Sequence, residues 1–81
     1  MEVKEVGAAK AHELFKDNVK IRLVLFEDKS ISLCTVKDDK AEEISCYFIE
    51  PKESNEKFYY MIQAFYSDIG FKVKEIDTQS E

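Results

Sequence analysis

Apolar residues recur at every second position along the middle of the chain, over residues 19–26, 31–36 and 44–49. Alternation with a period of two is typical of β-strands. A polar turn at 27–30 and a charged loop at 37–42 separate these segments. Short connections of this kind predict an antiparallel meander of three strands.

The segment before the meander follows a helical period instead. Ala8, Ala11 and Phe15 fall on one apolar stripe, and three alanines favour helix. Asn18 is a suitable residue for a left-handed end of a helix. The pattern therefore predicts a short helix over residues 8–18.

A longer helix is predicted after Pro51, which ends the third strand because it has no backbone N–H to donate. Ser54 can cap this helix, and Gly70 stands where a terminating glycine belongs. The apolar stripe of the helix is expected to pack on the sheet, with Phe65 buried; it consists of Phe58, Met61, Ile62, Phe65 and Ile69. Phe71 and Val73 then indicate a last strand.

Together the pattern predicts one small α+β domain over residues 1–81, in the order α-β-β-β-α-β. We expect an antiparallel three- to four-stranded sheet with the long C-terminal helix packed on one face. Residues 1–6 and 77–81 are expected to be frayed or to form short edge strands. A chain of 81 residues has room for one domain and a small core.

The register of the meander decides whether Cys34 and Cys46 can bond. Pairing Leu23 with Leu33, and Leu33 with Cys46, gathers the apolar side chains on one face. In that register Cys34 points to the other face, and both thiols are free. A register shifted by one residue would place Cys34 directly opposite Cys46. The first register is preferred because it segregates the apolar residues.

The preferred register leaves an apolar surplus on the second face of the sheet, which is unusual for a solvated face. We expect this face to bind a partner, and a homodimer is the favoured way to cover it. The alternative is a three-layer monomer in which the first helix covers the face. Tyr60, on the outer side of the long helix, is a further contact candidate. The expected interface residues are Val24, Phe26, Val36, Tyr47, Ile49 and Tyr60.

Charge narrows the choice of partner. The chain carries 12 Lys and Arg against 17 Asp and Glu, a net charge of −5. Residues 1–40 hold 8 of each sign, whereas residues 41–81 hold 4 basic and 9 acidic side chains, so the second half carries the whole excess. Phosphate neutralisation requires Lys and Arg, so binding to nucleic acid is not expected.

No segment approaches the ~18 consecutive apolar residues that a membrane span needs, and the first residues lack the pattern of a secretory signal. No membrane association is therefore expected. Two cysteines are too few for a disulfide scaffold, which favours a reducing, cytoplasmic location.

The candidate chemical groups do not form a catalytic motif. His12 is the only histidine and is expected to be half-buried at the edge of the first helix. The acidic residues at 38–39 and 42–43 lack the spacing and the glycine of a calcium loop. No phosphate-binding loop, dinucleotide fingerprint or nucleophile elbow occurs. The sequence therefore predicts no catalytic residue, cofactor or metal site.

These observations favour a non-enzymatic protein-binding module, such as a small acidic inhibitor, immunity or adaptor protein that docks on a basic partner surface. The alternative is a small-ligand-binding or enzymatic domain whose site forms at a homodimer interface.

Overall fold

A computed structural model describes residues 7–37 and 43–77 of the chain. These residues form five strands and one helix. Their bounds are β1 (Ala8–Lys16), β2 (Val19–Phe26), β3 (Ile31–Lys37), β4 (Glu43–Ile49), α1 (Asn55–Asp68) and β5 (Lys72–Ile76).

The five strands make one sheet in the order β4-β3-β2-β1-β5, and all neighbouring strands are antiparallel. Among the strands of residues 7–37 and 43–77, β4 and β5 are the two edges. Because α1 connects one edge to the other, the helix has to cross the face of the sheet. The core lies between that face and α1.

The predicted fold class is wrong in element order and in strand number. The order is β-β-β-β-α-β, and the segment predicted as the first helix is the strand β1. β1 pairs on both sides, so that Leu14 faces Ile21 of β2 and Val73 of β5, and Leu14 is fully buried. Pairing with two neighbours outweighs the helix propensity of the alanines. Asp17, with φ at 56°, makes the tight turn into β2.

The predicted pairing of β2 with β3 is confirmed, since Leu23 faces Leu33. The predicted pairing of β3 with β4 is wrong by one residue. Leu33 faces Tyr47, and Cys34 faces Cys46 with their Cα atoms 4.0 Å apart. The two cysteines form a disulfide, so the expectation of free thiols is also wrong. β4 has apolar residues on both faces, and for such a strand the hydrophobic pattern does not distinguish one register from the next.

The helix packs on the sheet through a different side from the one predicted. Tyr59 is fully buried, whereas Phe65 is 60% exposed. Ile62 and Tyr66 complete the contact with the core. The buried sheet residues beneath them are Leu14, Ile21, Leu23, Leu25 and Ile31. The predicted burial of Phe65 is therefore wrong, because polar contacts of Tyr59 rotate the helix away from its most apolar stripe.

Both ends of α1 are fixed by specific backbone and side-chain contacts. Ser54 occupies the N-cap position, but its side chain makes no capping hydrogen bond. Instead the buried side chain of Asn55 donates to the carbonyl of Lys29, at 2.7 Å, and to the carbonyl of Glu50, at 2.9 Å. At the other end Gly70 has φ at 105°, which confirms the predicted terminating glycine.

Candidate functional site

The helix covers only part of the sheet face on which it lies. Five strands spaced about 4.8 Å apart span roughly 20 Å, whereas a helix with its side chains is about 10–12 Å across. α1 starts against the turn between β2 and β3, where Asn55 holds it. It ends over β1, where Lys16 Nζ donates to the carbonyl of Ile69 at 2.9 Å. This diagonal path leaves β3 and β4 without a full cover.

An apolar groove occupies the uncovered area, and we call it the α1–β4 groove. Its volume is about 530 Å³. The sheet contributes Leu33, Tyr47 and Ile49, together with Phe48 at its edge, whose side chain points to the helix-free face. The helix contributes Phe58, Met61, Ile62, Phe65 and Tyr66. The hydroxyls of Tyr47 and Tyr66 are the only side-chain oxygen or nitrogen atoms among these residues.

The side chains of the α1–β4 groove are unusually open to solvent for apolar residues. Tyr47 is 73% exposed, and Met61 is as exposed as Phe65. A large aromatic side chain contributes about 200 Å² when it is fully accessible. The groove residues therefore present several hundred Å² of apolar surface, which is the size of the patches that mark interaction sites. The electrostatics of the groove are neutral, since no lining residue carries a charge.

The polar contact between helix and sheet lies on the other side of α1. Tyr59 OH donates to the carbonyl of Leu23 at 3.1 Å and lies 2.8 Å from His12 Nδ1. The Tyr59 hydroxyl lies between the Leu23 carbonyl, which can only accept a hydrogen bond, and His12 Nδ1, which donates or accepts according to the ring tautomer. Burial raises the pKa of Tyr59 and lowers the pKa of His12. The arrangement ties the helix to the sheet.

His12 is partly buried, as predicted, but it lies on a central strand rather than on a helix. The amide nitrogen of Gln63 is 3.3 Å from the same ring nitrogen. Within residues 7–37 and 43–77, no group of three His, Cys, Asp or Glu side chains is placed to hold a metal ion. The acidic residues at 38–39 and 42 lie outside the described residues.

The structure separates the interface residues expected from the sequence. Val24 and Phe26 lie half-buried on the helix-free face. Tyr47 and Ile49 lie on the helix side instead, because the register of β4 is shifted by one residue. Tyr60 is exposed, with its ring centroid 5.5 Å from that of Tyr59. The structure does not describe the side chain of Val36.

The sequence pattern did not indicate that the groove residues form an exposed surface, because it assigned Phe58, Met61 and Phe65 to the core. The width of the sheet is the signal that could have found them. Once β1 is counted as a strand, one helix is too narrow to cover five strands. Part of its apolar stripe then has to stay exposed.

The described part of the chain contains no helix with both the length and the apolar composition needed to cross a membrane. No family model, no curated protein and no solved structure matches this chain. The functional argument therefore depends on the geometry of the α1–β4 groove.

Proposed function

We propose that this chain is a non-enzymatic protein-binding module whose α1–β4 groove receives an amphipathic helix of a partner protein. The observation that carries the proposal is the unfilled half of the sheet face. The uncovered width of roughly 10 Å is that of one further helix. A partner helix laid there would contact the floor at Leu33 and Tyr47 and the wall at Met61 and Phe65. Helix-in-groove binding of this type is a common recognition mode.

The composition of the groove supports a protein partner. Aromatic residues and methionine are enriched at interfaces, where charged residues are depleted. Methionine also adapts its shape to irregular partners. Phe58, Met61 and Phe65 follow one another at helical spacing, so they can interdigitate with apolar residues at similar spacing on a partner helix.

The net charge of this chain indicates which charged residues a partner helix would carry on its polar side. The net charge of the chain is −5. A partner helix with Lys and Arg on its solvent side would be attracted to this chain, which mainly speeds association. The role of an acidic inhibitor, immunity or adaptor protein is consistent with such a partner.

A small apolar ligand is the second candidate occupant. The groove volume of about 530 Å³ falls within the range of ligand sites, about 300–1,000 Å³. Such sites usually contain several converging polar groups that orient the ligand. The α1–β4 groove offers only the hydroxyls of Tyr47 and Tyr66, so a helix is the better fit.

The cytoplasmic location expected from the sequence is a separate part of the proposal, and the disulfide bears on it. Disulfides persist in oxidising compartments and are uncommon in a reducing cytosol. A cytoplasmic chain would hold Cys34 and Cys46 as facing thiols. Rapid alkylation of thiols in intact cells distinguishes the two states, because only the reduced pair is labelled.

Photo-crosslinking in cells of the source organism tests the function. A benzoylphenylalanine in place of Phe65 lies in the groove, whereas one in place of Lys20 lies exposed on the helix-free face. We expect a discrete protein adduct from position 65 that position 20 does not give. We also expect Met61→Lys, introduced into the position-65 probe, to reduce its yield at least tenfold.

Two results would contradict the proposal. The proposal fails if position 65 gives no adduct, or if both positions give the same adducts. The ligand alternative is favoured if position 65 gives no protein adduct and the purified chain carries a bound apolar compound that Met61→Lys removes.

A further inference from the structure

The two edges of the sheet differ in how well they are protected against pairing with another chain. β5 spans 5 residues, of which Lys72, Lys74 and Glu75 are charged. Short, lysine-bearing strands are a usual way to prevent edge-to-edge pairing. β4 spans 7 residues and, after Glu43, continues without a charge to Ile49. An uncharged edge of this length is a template for a further strand.

The backbone of β4 has a defined set of groups available at this edge. The Cα atoms of Cys34 and Cys46 are 4.0 Å apart, a separation that belongs to a non-hydrogen-bonded pair of an antiparallel ladder. The N–H and C=O of Cys46 therefore point away from β3. By alternation, the same holds for Ile44 and Phe48. These three residues present their backbone donors and acceptors to the open edge.

The exposed side chains of β4 favour a partner that binds along the edge of the sheet. Tyr47 and Phe48 are the two most exposed of the large hydrophobic residues, at 73% and 74%. Since successive side chains point to opposite faces, Tyr47 lies on the helix side and Phe48 on the helix-free side. A helix in the α1–β4 groove would cover only one side. A strand added beside β4 would contact both.

We propose that the occupant of this edge is the β4 strand of a second copy of the chain, paired antiparallel around a two-fold axis normal to the sheet. With Cys46 at the axis, Ile44 of each copy faces Phe48 of the other, and the outward backbone groups meet as hydrogen-bonded pairs. This register also keeps residue Glu43 of one copy and residue Glu43 of the other at opposite ends of the ladder. Two acidic chains thus approach through an uncharged strand.

The disulfide fits this role, because it holds β4 to β3 in one register. A strand fixed in register presents a constant pattern of donors and acceptors to the second copy. The resulting dimer would contain one continuous ten-stranded sheet, with both copies of α1 on the same side. The inference goes beyond the proposed function, since the edge and the groove can be occupied at the same time.

Sedimentation equilibrium of the purified, oxidised chain tests the inference. We expect the parent to have twice its monomer mass of 9.5 kDa at high micromolar concentration. Phe48→Pro removes an N–H that points outward and leaves the bonds to β3 in place, and proline is tolerated on edge strands. This variant should keep the circular dichroism of the parent and sediment as a monomer. Phe48→Ala is the matched control; it retains the N–H and should still dimerise.

Phe48→Lys is the second variant, in case the proline variant does not fold. It gives β4 the kind of lysine that protects β5 and should also be monomeric. The inference is overturned if the parent is a monomer throughout, or if folded Phe48→Pro or Phe48→Lys remains a dimer. A monomeric parent that still crosslinks to a partner through position 65 would leave the proposed function intact.

Discussion

The two sides of this sheet, one around β1 and β5 and the other around β3 and β4, differ in how much of their surface α1 covers. On the first side α1 lies over β1, and Leu14 is completely buried. On the second side Tyr47 remains largely exposed. The difference follows from the path of the helix, which is fixed at Asn55 and at Gly70 and is too narrow for five strands.

The comparison shows that burial in this protein follows polar anchoring as well as hydrophobicity. Tyr59 is buried because its hydroxyl finds the Leu23 carbonyl and His12. Phe65 is more apolar and yet exposed. A buried hydroxyl without a partner would be costly, so the residue whose hydroxyl is satisfied can occupy the core.

The largest loss of stability is expected for a substitution at the buried contact between α1 and the sheet. Tyr59→Ala should lower the free energy of unfolding by about 3–5 kcal/mol, because it leaves a cavity and removes the hydrogen bonds of the Tyr59 hydroxyl to Leu23 and His12. Phe65→Ala should lower it by less than about 1 kcal/mol, since this side chain is largely in solvent. Urea denaturation of both variants provides the measurement. Equal losses would show that the two sides of the sheet do not differ as described.

The disulfide is expected to be the next largest contribution. Cys34 and Cys46 are separated by 12 positions in the chain, and closing a loop of about that length contributes roughly 3 kcal/mol in the chain-entropy model. The double variant Cys34→Ser, Cys46→Ser should lose about this amount in urea denaturation. Reductant should destabilise the parent similarly and leave the variant unchanged.

A thiol titration in denaturant without reductant provides the control for the disulfide. We expect no reactive thiol in the oxidised parent. Two reactive thiols per chain, together with no effect of reductant on stability, would show that the purified chain lacks the disulfide.

The anchor at the start of α1 should have an intermediate effect. Asn55→Ala removes two hydrogen bonds and leaves the carbonyl of Glu50 without its side-chain donor, while the carbonyl of Lys29 keeps the N–H of Lys52 at 3.4 Å. The substitution should cost about 2 kcal/mol. Ser54→Ala is the matched control and should cost less than about 0.5 kcal/mol, because the Ser54 side chain makes no capping bond. Thermal denaturation of both variants distinguishes a true anchor from an ordinary N-cap.

The smallest expected effect is the pH dependence from His12. Burial lowers its pKa in the folded state, and Lys10 adds to this while Glu75 opposes it. As pH falls, the unfolded chain therefore binds a proton at His12 before the folded chain does. The stability that neutral His12 contributes is fully present above the pKa of His12 in the unfolded chain, and it is lost as pH falls through the pKa of His12 in the folded chain.

The free energy of unfolding should accordingly be lower at pH 5.5 than at pH 7.5. His12→Asn, whose amide can donate to Tyr59 without titrating, should have a smaller difference between these pH values. A difference as large as that of the parent would assign the pH dependence to other groups.

How far the sequence predicts this fold depends on the range of the interactions involved. The hairpin of β2 and β3 is predicted correctly because Val19, Ile21, Leu23 and Leu25 recur at every second position of β2 and because its turn is local. Asp28 Oδ1 accepts from the backbone N–H of Ser30 at 2.9 Å and from its hydroxyl at 2.6 Å. α1 and β5 are also predicted in place, since their periods and Gly70 are local signals.

The errors arise where distant segments decide the outcome. β1 pairs with the adjacent β2 and also with β5, some 60 residues later, and this second partner cannot be found from the local pattern. The register of β4 cannot be derived from alternation when Tyr47 and Phe48 on opposite faces are both large and apolar. The α1–β4 groove forms because β1 is a strand and because β4 pairs in this register. Neither feature follows from the sequence pattern, which is why the groove residues were assigned to the core or to the wrong face.

Amide hydrogen exchange in β4 tests most directly the claim that this side of the sheet is completed by another chain. The Tyr47 amide bonds to β3 within the chain, so it should be protected at every protein concentration and serves as an internal reference. The Phe48 amide points to the open edge. It should be protected at high micromolar concentration and should lose that protection on dilution. A Phe48 amide that exchanges at the unprotected rate at the highest concentration would contradict the account.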